Sequence, residues 1–260
     1  MKTYREHFYD CQRVYQGRED KRLYRTLLEP DFVERTEEYD RLISDISKKV
    51  DYKFKNKIDV KQEDMCLRLD KWNDIDELGE LVQMVLPKLE NEVFGCHVKV
   101  EFLHIYRNFK TDIPNKASWL WHYDDCPNEF VKLAIYLNEV TVDNAPMWCF
   151  LDKEKTPIKI RSSRISPSHS EDKVFKASRI PEWFLNEEKD KGGNYACLVG
   201  PAGKNFLFTP NIIHRASKPI SGYRDAMFLF LRPSLIKLKD PLSKTEARAD
   251  VRDVKKYRLD

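Results

Sequence analysis

Residues 205–233 read NFLFTPNIIHRASKPISGYRDAMFLFLRP: two runs of aromatic and branched residues flank a polar stretch centred on Lys218-Pro219-Ile220. That is the pattern of two strands joined by a loop. The same texture recurs upstream in HVKVEFLHIYRN (97–108), FVKLAIYLNEV (130–140), APMWCFLD (145–152) and NYACLVG (194–200). Turn signals separate these runs, among them VDNAP, KGG, GPAGK and KPISG. Short strands with no helix-length pattern between most of them predict an antiparallel sandwich or barrel over parallel βαβ units.

The front of the chain has a different period. VERTEEYDRLISDISKKV (33–50) and DIDELGELVQMVLPKLENEVFG (74–95) space apolar residues three and four apart, which predicts helices packed as a buttress on one face of the β core. Gly95 is placed as a C-cap, and Pro87 is expected to kink or split the second helix. The expected organisation is therefore one domain over 1–260: a helical part to about 95, a β core from 96 to 235, and a charged tail from 236 to 260. A polar, serine-rich and basic insertion at about 153–185 is too long for a hairpin turn, and reads as an active-site lid or a surface insertion.

At 260 residues, 41% apolar and 12% aromatic, the chain has ample material for a core. Lys+Arg and Asp+Glu nearly cancel to a net +3, so no global field recruits nucleic acid, and no basic, aromatic-interleaved stripe supports it either. There is no membrane-length apolar run and no leader-like N-terminus, and the six cysteines are scattered without a C-x-x-C pair. A cytoplasmic, soluble protein is expected.

Residues 121–130, WHYDDCPNEF, put four potential metal donors into five positions. In an extended segment side chains alternate, so His122 and Asp124 face one way while Tyr123 and Asp125 face the other. A third donor must come from elsewhere, and of the candidates His97, His104 and His214 the last is best placed, where an apolar strand opens to a rim. If the connection after it is symmetric about Pro219, Arg224 lies across from His214. A guanidinium leading into the apolar run DAMFLFL calls for an anionic partner, because an unpaired buried charge costs several kcal/mol. Two imidazoles and one carboxylate on one face of a metal form the facial triad of non-haem Fe(II) oxygenases, and an Arg nearby suits the remote carboxylate of a dicarboxylate co-substrate.

This set, H-x-D with a distal His about ninety residues later and an Arg ten positions beyond it, resembles the Fe(II)/2-oxoglutarate-dependent dioxygenases, and within them the phytanoyl-CoA dioxygenase-like group. The resemblance runs over roughly Val98 to Ser234. It implies a double-stranded β-helix (jelly-roll, cupin-like) core in an α+β chain, with Fe(II) held by His122, Asp124 and His214, 2-oxoglutarate clamped by Arg224, and O2 as oxidant. The implied reaction is hydroxylation of a C–H bond in a small-molecule substrate, with release of succinate and CO2. Members often carry a hydroxyl residue two positions after the distal His, where this chain has Ala216, followed by Ser217.

Other residues are weighed against plain structural roles. Tyr106 could hydrogen-bond the co-substrate or pack as a partly buried tyrosine. Lys132 alternates with Val131 and Leu133 and reads as a solvated or rim lysine. Trp148 could wall the pocket or fill the core; Lys159, Arg161 and Arg164 could greet an anionic substrate or lie in solvent. A zinc site through His122 and Cys126 would need helical spacing, which Pro127 opposes. The alternatives to an oxygenase are a catalytically inert cupin-like binding protein and a metal hydrolase on the same scaffold.

Overall fold

One strand organises the molecule. In the computed structural model, which describes residues 4–17, 23, 25–160 and 178–242, β10 (Tyr223–Ser234) pairs antiparallel with β4 (His97–Phe109) on one side and β5 (Val131–Tyr136) on the other. Successive side chains go to opposite faces. Met227, Leu229 and Leu231 join Leu133, Ile135, Leu103 and Ile105 in the core beneath the helices. Ala226 and Phe228, with Ala134 and Tyr136, turn to the opposite face and into a second core that includes Phe206, Phe208 and Met147.

Seven strands complete this sheet in the order β1-β8-β5-β10-β4-β3-β2, with β1 Leu28–Pro30, β2 Val60–Gln62, β3 Cys66–Leu69 and β8 Asn205–Phe208. A second sheet of β7 (Asn194–Leu198), β6 (Met147–Leu151) and β9 (His214–Ala216) has the order β7-β6-β9. Facing antiparallel sheets of this kind make the double-stranded β-helix expected from the resemblance.

The helices α1 (Tyr4–Gln16), α2 (Glu37–Asn56) and α3 (Asp76–Lys88) cover the outer face of the large sheet. In α2 the Thr36 hydroxyl accepts from Tyr39 N at 3.1 Å, three acids fill the first turn, and Lys57 in the left-handed region ends the helix. Its buried stripe, Tyr39, Leu42, Ile43, Ile46, Val50 and Phe54, keeps the predicted spacing, each side chain contributing about 1.5–3 kcal/mol of burial.

Three expectations need correction. Pro87 does not split α3: it sits in the last turn, and the chain continues into a π-helical turn, Leu89–Phe94, closed by Gly95 at φ 62°. A missing donor so near the end is absorbed by widening the following turn. The front of the chain is not only helical, since β1, β2 and β3 form both edges of the large sheet; runs of three or four residues are too short to show a period. Finally, His214 and Arg224 do not face each other across a hairpin. His214 pairs with Cys149 on β6 and Arg224 with Asn108 on β4, in different sheets. The intervening loop crosses between the sheets, and Ser217 N and Ile220 N bond to Pro146 O and Asp143 O instead of to each other.

Of the polar insertion, 161–177 lies outside the described residues, and with it Arg161 and Arg164; of the tail, 243–260 does. Ile160 N bonds to Asn211 O and Ile180 N to Trp121 O, so both ends of the insertion flank the segments that carry His214 and His122. Helix α4 follows at Glu182–Asp190. Among the described residues no helix is long and apolar enough to cross a membrane.

Candidate metal centre and its pocket

His122 and His214 are joined by reciprocal backbone hydrogen bonds, His122 N to His214 O at 3.0 Å and His214 N to His122 O at 2.9 Å. This bridge sets the two imidazoles side by side, ring centroids 4.4 Å apart. Each Nδ1 lies 2.8 Å from a backbone carbonyl, Leu120 O for His122 and Ile212 O for His214. A carbonyl only accepts, so Nδ1 carries the proton in both rings and Nε2 presents its lone pair. Both Nε2 atoms point at one carboxylate: His122 Nε2 is 3.8 Å from Asp124 Oδ1 and His214 Nε2 is 3.5 Å from Asp124 Oδ2. Ligand atoms of the three residues lie within 4.8 Å of one another.

The electrostatics suit a cation. Burial, and then the charge of His214, pull the His122 imidazole down to about 3, and burial lowers His214 as well, so both rings are neutral donors. Burial by itself would raise the Asp124 carboxyl, but Lys132 and the two imidazoles draw it down to about 2. Two neutral nitrogens and one carboxylate, converging from one side, fit a divalent first-row metal such as Fe(II). Asp125 and Cys126 are not in the cluster; Cys126 Sγ is turned to the Asp124 carbonyl, which removes the His122/Cys126 zinc reading.

The triad opens on a cavity of about 720 Å³ between the sheets. Strand register orders the wall of the large sheet. Asn108 pairs with Arg224, Tyr106 with Ala226, His104 with Phe228, and Phe230 with Lys132. All but Ala226 line the cavity. Arg224 is buried, with Nη2 donating to Asn108 Oδ1 at 2.8 Å and Nη1 to the Ala145 carbonyl. Its hydrogen-bond acceptors are neutral, and its buried Nε makes no hydrogen bond. The adjacent acid, Asp225, faces the other way and binds Arg107 through both oxygens, at 2.8 and 2.5 Å. A structural ion pair with Asp225 therefore does not explain Arg224. An anion in the cavity that it lines would give the guanidinium a charged partner.

Among solved structures the chain resembles SnoN, a non-haem α-ketoglutarate-dependent epimerase from nogalamycin biosynthesis, with a TM-score of 0.53 at 11% identity over 82% of this chain and 81% of that one. EctD from S. alaskensis gives 0.52 at 14% identity, over 85% and 78%. SnoK, a non-haem α-ketoglutarate-dependent carbocyclase, gives 0.51 at 12%, over 92% and 89%. The chain shares its fold with these three proteins. In sequence the chain is 27% identical over 175 residues to L-proline trans-4-hydroxylase from Streptomyces griseoviridis, covering 60% of this chain and 63% of that protein. It thus spans somewhat under two thirds of that relative's length. No established family pattern matches.

In this fold the remaining predicted residues find their places. Tyr106 lies on the cavity wall with its hydroxyl 2.9 Å from His104 Nδ1. Burial, then Glu63, raises the phenol to about 12, so it stays protonated. Ala216 lines the cavity, while the Ser217 hydroxyl turns away to donate to Pro146 O at 2.9 Å and does not substitute for a hydroxyl at the preceding position. Trp148 is not in the wall, which takes its neighbour Met147.

One residue departs from its expected role and another was not anticipated. Lys132 is buried, not solvated, and its Nζ lies 2.5 Å from Asp124 Oδ2 and 4.3 Å from the Phe230 ring centroid. Its face was assigned correctly; what failed is the assumption that the face opposite the helices meets water, since here it meets the cavity. Asn211 holds the metal segment by its backbone, accepting from Cys126 N at 2.9 Å and donating to Cys126 O at 2.7 Å. No local pattern around Asn211 says that its amide reaches 85 positions back.

Proposed function

We propose that this chain is an Fe(II)- and 2-oxoglutarate-dependent oxygenase that hydroxylates a C–H bond of a small-molecule substrate and releases succinate and CO2. The observation that carries this reading is the pairing, in one cavity, of the converged His122–Asp124–His214 donors with the buried, anion-ready guanidinium of Arg224. His122, Asp124 and His214 would hold the iron, whose bound form supplies the coupling of O2 reduction to oxidative decarboxylation of 2-oxoglutarate. Because the three donors approach from one side, they would leave room opposite for co-substrate and O2. Arg224, fixed by Asn108 and Ala145, would clamp the far carboxylate of 2-oxoglutarate, with Tyr106 beside it as a neutral hydrogen-bonding group. Phe208, Phe228, Phe230 and Met147 keep the cavity apolar around the reacting bond.

The sequence relative is named for hydroxylating L-proline, which supports a substrate of similar scale. A cytoplasmic enzyme with a metabolite-sized substrate, and not nucleic acid, is in keeping with the net charge of +3. The test is succinate formation from 2-oxoglutarate under air with Fe(II) and ascorbate, across a panel of amino acids and other small metabolites. Turnover should fall at least ~100-fold in His214→Ala, and Arg224→Leu should raise the KM for 2-oxoglutarate by about two orders of magnitude, the worth of a lost bidentate charge pair. Wild-type turnover that survives His214→Ala would refute the assignment.

A further inference from the structure

Between the oxygenase reading and ion pairs at the lip, every charged group in the cavity wall but one is accounted for. Taken together, a ferrous ion, Asp124, the 2-oxoglutarate dianion and Arg224 are neutral. At the lip, Glu63 is paired with Arg68 at 2.9 Å and Asp64 with Lys116, and burial, with Arg68 and Lys132 nearby, keeps the His104 ring neutral. The ammonium of Lys132 is the surplus charge. It is buried, and its carbon stem and head lie among aromatic rings, 4.3 Å from Phe230 and 5.9 Å from Phe208. An ammonium carries three donors, and among the described residues this one has a single hydrogen-bond acceptor, Asp124 Oδ2. With a metal on that carboxylate, Lys132 would keep at most its bond to Oδ2 and have two donors to spare in the cavity that it lines.

Lys132 and Arg224 also enter the cavity from different ends. Lys132 is the partner of Phe230, six residues along β10 from Arg224, about 20 Å of strand at roughly 3.3 Å per residue. With 2-oxoglutarate at the Arg224 end, the space bounded by Lys132, Phe228, Phe230 and His104 remains for the substrate. We propose that Lys132 anchors an acidic group of that substrate, which is a small carboxylic acid whose apolar body packs on Phe228 and Phe230. This rests on the oxygenase reading for the placement of 2-oxoglutarate.

The test is saturation-transfer NMR on the full chain loaded with Zn(II), a diamagnetic stand-in for iron, and excess 2-oxoglutarate. The probes are cyclopentanecarboxylate, cyclohexanecarboxylate and phenylacetate, each against its primary amide, with wild type, Lys132→Met and Lys132→Arg. In the wild type at least one acid should bind ten-fold or more tightly than its amide. Lys132→Met should erase that preference and Lys132→Arg should keep it, while the signals of bound 2-oxoglutarate persist in all three proteins. Equal binding of acids and amides, no binding of any acid, or an unchanged preference in Lys132→Met would overturn the proposal. If Lys132 served only to hold Asp124, Lys132→Met would weaken 2-oxoglutarate itself and leave the ratio of acid to amide unchanged. Absence of 2-oxoglutarate signals in the wild type would overturn the oxygenase reading and this inference with it.

Discussion

Arg107 and Asp225 show what a buried charge costs when its partner goes. The two side chains meet twice beneath the helices, Asp51 adds a bond at 2.8 Å, and the Tyr223 ring lies 4.1 Å from the guanidinium. Arg107→Leu leaves Asp225 buried and unpaired, so about 3–5 kcal/mol of stability should be lost in denaturant unfolding, with little change at the metal site if the variant folds. His104 bears on pH. Burial lowers its pKa in the folded chain, so the unfolded state takes up the proton first as pH falls below about 6.5, and stability declines from there downward. The two metal-site imidazoles act in the same direction. In metal-free protein, the slope of thermal midpoint against pH between 6.5 and 5 should therefore be shallower in His104→Gln than in wild type. Single residues were legible in the sequence where chemistry is rare. One H-x-D, few histidines and an arginine leading an apolar strand sufficed, whereas Lys132 and Asn211 take their meaning from neighbours far along the chain.

Elements were legible in proportion to their length. The stripe of α2 and the alternation along β10 are periodic over enough residues to show in the sequence, but β1, β2 and β9 span three residues each and exist through their partners. The crossing between sheets after His214 was misread because a Pro-containing loop between two strands looks alike whether it closes a hairpin or spans a sandwich. Gly95 is the sharpest test at this scale. At φ 62° it closes the π-helical turn through a 2.7 Å bond from its N–H to Glu90 O, and an added Cβ would lie 3.1 Å from Gln12 Nε2. Gly95→Ala should cost about 1–2 kcal/mol, read from chemical unfolding, mostly from forcing a side chain into the left-handed region. Thr36→Ala, which removes the α2 cap, should cost about 1 kcal/mol in the same assay.

At the scale of the molecule, the helices face the side of the large sheet away from chemistry, and the second sheet closes the cavity. His122 and His214 are bridged backbone to backbone, and Asn211 ties down the residue after Asp125, so the protein's own hydrogen bonds set the donors together. Such a site stabilises the fold by mass action: saturating Zn(II) and 2-oxoglutarate should raise the thermal midpoint, a chelator should reverse it, and Asp124→Ala should show no rise. In the proposed function His122, Asp124 and His214 hold iron while Arg224 holds 2-oxoglutarate on it. Anaerobic addition of Fe(II) and 2-oxoglutarate tests this most directly, through the visible metal-to-ligand charge-transfer absorption of chelated 2-oxoglutarate. Wild type should develop the band, His214→Ala should not, and Arg224→Leu should need far more 2-oxoglutarate to reach it. No band in the wild type, or an undiminished band in His214→Ala, would contradict that assignment.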